Sequence, residues 1–174
     1  MDDFFQKVTS MRDPFSKLVS YIPGFGGYME RQSRRDADRL LRETVARRFE
    51  EQWQRISQLQ SDLVSNGMIA YVDDMEKAAL KLRTFIDKLS HAPRGYSGLF
   101  DAVKINEKEL QSIYQFDAAF FDLAEQVGRP VDNVERSLND EAALPAAIRN
   151  LTSLARLAVE TYNRRSEVVT GNGK

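Results

Sequence analysis

Asp117 is the side chain in this sequence that most needs a chemical explanation. It stands among Ile113, Tyr114, Phe120 and Phe121, on the apolar side of a helical pattern. A carboxylate buried there requires a basic partner. Arg83 or an Arg of the long helix described below is the expected one. A catalytic acid would need a second group beside it, and the sequence points to none.

The other residues that could do chemistry are few. His91 is the single His and there is no Cys. His-rich metal sites, thiolate redox chemistry and Cys–His nucleophilic pairs are therefore excluded. A carboxylate-bridged di-metal centre uses Glu-x-x-His pairs on facing helices, and no such pair occurs. Asp73, Asp74 and Glu76 cluster at a helix start, where acids offset the helix dipole without any metal. No cofactor and no catalytic set is expected, and the chain reads as a non-enzyme.

Arginine is the remaining chemical signal. Arg31, Arg34, Arg35, Arg39, Arg42, Arg47, Arg48 and Arg55 crowd one segment. Arg31, Arg35, Arg39 and Arg42 fall on one side of it. The planar guanidinium fork suits carboxylates and phosphates alike. Ion pairing with neighbouring helices is the plain reading. A phosphate-rich ligand, such as RNA, a nucleotide or an anionic lipid, is the alternative. The net charge of −1 and the pI of about 5.9 disfavour a general nucleic-acid binder. Charge is uneven, however: residues 31–55 carry eight Arg against five acids, and residues 99–141 carry ten acids against four basic residues. Those two surfaces are expected to lie near each other.

The elements that position these residues are all helical by their spacing. Residues 28–66 contain no internal Gly or Pro until Gly67. Ala37, Leu41, Val45, Phe49, Trp53, Ile56, Leu59 and Leu63 form an apolar stripe along them. A helix of this length is not stable alone, so its stripe must be covered, with Trp53 largely buried. Gly67 is the expected C-terminal stop. Residues 68–91 repeat the pattern with Ile69, Val72, Met75, Ala79, Leu82, Phe85, Ile86 and Leu89. Residues 92–105 read as a loop, and Asn106 as an N-cap answered by Glu109. A third helix follows over 107–127, with Leu110, Ile113, Phe116, Phe120, Leu123 and Val127 inward, and with Gly128 and Pro130 ending it. Asp132 would cap a short helix over 133–138. The last helix starts near Asp140–Leu144 and ends near Val168. The fold class is all-α: a mainly antiparallel bundle of four long helices with a short N-terminal arm.

That arm spans residues 1–22. Phe4, Phe5, Val8, Met11, Phe15, Leu18 and Ile22 give it a large apolar face. Asp13-Pro14 reads as an N-cap and first helical position, which makes the arm two short helices over about 2–12 and 14–21, or one kinked helix. Pro23-Gly24-Phe25-Gly26-Gly27 then makes a hinge or tight corner. No Gly-Lys-Ser/Thr follows and no strand precedes, so neither common phosphate-loop motif is present. The domain plan is an arm at 1–22, a hinge at 23–27, a body at 28–168 and a polar tail at 169–174.

These observations predict a protein that acts by contact, as an adaptor or scaffold. Phe4, Phe5 and Phe15 are its candidate contact residues, beside Arg31, Arg35, Arg39 and Arg42; Trp53 and Asp117 are structural. The arm could dock on its own body, in a groove of a protein partner or at a membrane interface. Asp2, Asp3 and Asp13 cancel Lys7, Arg12 and Lys17, which serves an anionic membrane poorly. No run of 18 apolar residues exists, and the Met-Asp-Asp start lacks the basic, then apolar, order of a secretory signal. The absence of Cys suits a reducing cytoplasm.

Overall fold

The computed structural model describes residues 2–22, 34–91 and 107–170; some helical side chains, those of Arg35 and Ala37 among them, lie outside the description. The hinge at 23–27, the loop at 92–105, the Asn106 cap and Arg31 fall outside the described residues as well. Every described element is helical: α1 (Asp2–Thr9), α2 (Pro14–Tyr21), α3 (Arg34–Ser65), a 3-10 turn (Ile69–Tyr71), α4 (Val72–Ser90), α5 (Glu107–Gln126), α6 (Gly128–Arg136) and α7 (Leu144–Thr170).

Local chemistry explains the boundaries. Asp13 Oδ1 accepts from the Ser16 amide at 3.0 Å, and Pro14 occupies the first position of α2. This cap holds the Asp13 carboxyl below its ordinary range through the Ser16 amide bond. At the other end of α3, Gly67 takes φ 75°. The Met68 amide returns to Leu63 O at 2.8 Å and the Gly67 amide to Val64 O at 3.1 Å. That pair of bonds is the Schellman stop, and its left-handed residue favours Gly.

Two sequence boundaries are corrected. The second helix does not run unbroken from 68, because the tight Ile69–Tyr71 turn precedes α4 and leaves Ile69 exposed. The third helix ends at Gln126, as the sequence indicates, but the short helix expected over 133–138 begins earlier, with Gly128 and Pro130 in the first turn of α6. Proline's missing N–H is harmless in a first helical turn, where amides have no intrahelical acceptor. Asp132 therefore sits inside α6 and is not its cap.

The contacts also fix helix directions. Arg42 of α3 reaches Leu89 O near the end of α4, and Phe49 meets Phe85 with ring centroids 4.7 Å apart, so α3 and α4 run antiparallel. Asp117 meets Arg165 and Phe120 meets Tyr162, which makes α5 and α7 antiparallel. Arg48 lies 5.3 Å from the Phe121 ring, and one turn farther along α3 Gln52 lies against Gly128, just past the end of α5. The α3 and α5 helices thus point the same way, and so do α4 and α7, where Lys88 donates to Asn163 at 2.9 Å. Among the described residues the most extensive interface is this one between α4 and α7. Antiparallel packing is thus seen within two pairs, α3 with α4 and α5 with α7.

The helix surrounded on all sides is α5, not the longer α3. Every residue from Gln115 to Phe121 is buried. The α7 helix covers one side of it, α3 another, and α1 and α2 a third. Ala118 and Ala119 let the neighbours approach, and Phe116, Phe120 and Phe121 fill the space between them.

Candidate functional site

The expected contact residues of the arm are found docked. Phe5 and Val8 of α1 are buried with Phe116 and Ala119 of α5, and Phe4, Leu157 and Val168 pack at the edge of this group. The group is distinct from the main core, which it meets at Phe4 and Leu157. The α2 helix belongs to the main core instead, through Leu18 and Ile22. Phe15 is half-buried, and its ring lies 5.8 Å from that of Tyr114.

Polar contacts fasten the two halves differently. Around α2, Lys17 Nζ donates to Asp122 Oδ2 at 2.6 Å, and the Tyr21 hydroxyl donates to Asp122 Oδ1 at 3.0 Å and to Glu125 Oε2 at 3.3 Å. The Tyr21 ring stacks on Phe121 at 4.9 Å, with Arg48 beside both rings. Burial, reinforced by the two carboxylates, pushes the Tyr21 hydroxyl well above its ordinary range. Between the arm helices, Gln115 Nε2 donates to Met11 O at 2.9 Å. Over α1, the Arg164 guanidinium lies 3.6 Å from the Phe5 ring centroid. That is a cation–π contact, held also by Glu160 at 3.2 Å.

The arginine stripe, as far as it is described, turns to the protein itself. Arg39 pairs with Glu43 one turn on, at 2.7 Å. Arg42 donates to Leu89 O at 3.0 Å, satisfying a carbonyl in the last turn of α4. Arg31 and the Arg35 side chain lie outside the described residues. The charge asymmetry, in contrast, does bring surfaces together: Arg55 meets Asp132 at 2.7 Å and Glu135 at 2.8 Å. The Asp132 hydrogen bond raises the Arg55 pKa further.

Asp117 is buried and paired as expected, but its partner is Arg165 of α7. Arg165 Nε and Nη2 address the two carboxylate oxygens, so the pair is bidentate. Arg83 is engaged elsewhere, with Glu50 and Asp87 at 3.0 Å each and over the Trp53 ring at 5.2 Å. Trp53 itself is half-buried rather than enclosed.

A cavity of about 520 Å³ opens between α3 and α4, over Ala46 and Ile86, with Glu43, Arg47, Glu50 and Glu51 around it. Two of those carboxylates are already paired, Glu43 with Arg39 and Glu50 with Arg83. Among the described residues no group of three or more His, Cys, Asp or Glu is placed to hold a metal ion. No described helix is long and apolar enough to cross a membrane.

The groove beneath α1, formed by Phe116, Ala119, Leu157 and Val168, was not singled out by sequence. Its signal was present in Phe116-Asp117-Ala118-Ala119-Phe120-Phe121, a helix segment apolar on nearly every side. Comparison with protein-family models, with curated proteins and with solved structures finds no match to this chain.

Proposed function

We propose that this chain is a non-catalytic helical-bundle protein acting by contact, as an adaptor or scaffold, whose N-terminal arm docks on its own body and exchanges that docking for a protein partner. One observation carries the reading: α1 buries Phe5 and Val8 in a small apolar group with α5 and α7 and reaches the main core only at its edge, through the half-buried Phe4. A cover with its own small contact set can leave without opening the interior. The groove it leaves is the shape an amphipathic helix fills, because one fills it now. Contact is favoured over phosphate binding by the two described members of the arginine stripe, Arg39 and Arg42, which are engaged within the chain.

The test compares the full chain with one lacking residues 1–22. The truncated protein should melt at lower temperature and should capture a helical partner more strongly than the full chain. An unchanged melting temperature with a monomeric product overturns the docked arm. Liposome flotation separates the membrane reading. Recovery of the full chain with anionic vesicles, lost in Phe4→Glu plus Phe15→Glu, assigns the arm to a lipid surface instead.

A further inference from the structure

We infer that the turn joining α3 to α4 is a second contact surface, and that it takes a protein segment whose apolar residues are flanked by Lys or Arg. The inference does not rest on the arm, which lies elsewhere on the molecule.

The apolar content of this turn is more than its fold requires. Among the described residues the exposed large hydrophobic side chains are Val19, Val64, Ile69 and Leu80. Two of them flank Gly67, with Val64 54% and Ile69 68% exposed. A lone apolar side chain on a surface needs no explanation, whereas a patch of them does. Here Met68, Tyr71 and Val72 add to the patch, half-buried against the main core at the same turn. The backbone holds it in place. The Met68 amide bonds to Leu63 O at 2.8 Å, the Tyr71 amide to Met68 O at 3.1 Å, and the Val72 amide to Ile69 O. Turning Ile69 inward would break these bonds. A surface fixed in this way loses little freedom when a partner arrives.

Charge names the occupant. Residues 62–77 carry Asp62, Asp73, Asp74 and Glu76 against a single base, Lys77. Lys77 is taken by Asp74 at 2.6 Å. Asp73 and Glu76 are exposed and have no ion pair among the described residues. Asp73 and Asp74 also offset the dipole of α4, and that service leaves their charge facing outward. An acidic rim around an apolar patch attracts a basic segment and repels an anionic membrane. The surface is also remote from the arm. Lys88, near the end of α4, meets Asn163 of α7, next to the Arg164 that covers Phe5. Val72 lies about 24 Å back along α4 from Lys88. An adaptor joins two partners, and this turn offers the contact that the arm does not.

The chain has no Cys, so an environment-sensitive dye can be placed singly at Ala70→Cys on the turn or at Ser10→Cys on the arm, both exposed positions. The probes are a short helical peptide of Leu and Lys, apolar on one face, and the same peptide with Glu in place of Lys. The Leu–Lys peptide should shift the dye at Ala70→Cys and not the dye at Ser10→Cys, and the Leu–Glu peptide should shift neither. Val64→Ser with Ile69→Ser should weaken binding about tenfold or more, without moving the melting temperature. Asp73→Asn with Glu76→Gln should weaken it too, and added salt should do the same. Equal binding of both peptides overturns the inference, as does binding that survives Val64→Ser with Ile69→Ser. A shift at Ser10→Cys alone overturns it and leaves the arm as the contact surface. Recovery of the full chain with anionic vesicles, lost in Ile69→Ser, assigns the turn to a lipid surface and overturns the basic protein partner. A dimer in sedimentation that is lost in Ile69→Ser assigns the turn to a second copy and overturns it as well.

Discussion

Asp117 and Arg165 are 3% and 2% exposed, so neither charge has water to fall back on. Asp117→Ala should cost about 3–5 kcal/mol in urea unfolding, because it strands the guanidinium. The double change Asp117→Leu with Arg165→Met should be much closer to neutral, since it removes both charges from the interior. The need for a partner was readable from the apolar residues around Asp117. The partner's identity was not, because spacing within one helix does not reveal which neighbour faces it. Tyr21 makes a second prediction at this scale. Its hydroxyl is held neutral by burial and by Asp122 and Glu125, so its folded pKa is raised. A raised folded pKa stabilises below the unfolded value, about 10, and that contribution is lost as pH climbs through the folded value. Melting temperature should therefore fall faster above about pH 10 in the parent than in Tyr21→Phe.

Helices α1 and α2 adjoin in sequence yet should behave as separate units. Leu18→Ala removes a side chain from the main core and should cost about 2–5 kcal/mol. Phe5→Ala should instead raise amide exchange in α1 alone, leaving protection in α2 unchanged, as hydrogen-exchange mass spectrometry would show. The division at Asp13-Pro14 was plain in the sequence because cap and proline act through bonds to near neighbours. The α3 stripe was legible too, with Leu41, Val45, Phe49, Ile56, Leu59 and Leu63 all buried. Trp53 departs from it for a geometric reason. At 3.6 residues per turn each step of four advances the side chain by about 40°, so four such steps leave Trp53 about 160° around from Ala37. The following steps of three bring Ile56 and Leu59 back inward. Trp53 thus stacks under Arg83 at the rim, and its emission should lie between buried and free tryptophan. Gly128 and Pro130 marked the end of α5 correctly, and the early start of α6 was missed because the same residues that stop one helix can open the next.

Across the whole molecule, Phe49, Phe85, Phe120 and Tyr162 form a continuous chain of ring contacts from α3 through α4 and α5 to α7. Phe85 is fully buried and touches both pairs of helices. Phe85→Ala should cost about 3–5 kcal/mol in urea unfolding, with fluorescence and circular dichroism changing together. The all-helical class followed from periodicity, and the meeting of Arg55 of the arginine-rich α3 with Asp132 and Glu135 followed from charge. The parallel run of α4 beside α7 did not, since short-range patterns carry no information about which pairs lie side by side. The arm's docking adds a dimension of time. Its contacts join Lys17 to Asp122 and Met11 to Gln115, more than 100 residues apart, and Val168 closes the groove near the far end of α7. A ribosome delivers the arm first and its seat last. At a synthesis rate of roughly 5–20 residues per second, the arm waits on the order of ten seconds with Phe4, Phe5 and Phe15 uncovered. For that interval every nascent chain displays the helix that the finished protein keeps folded away.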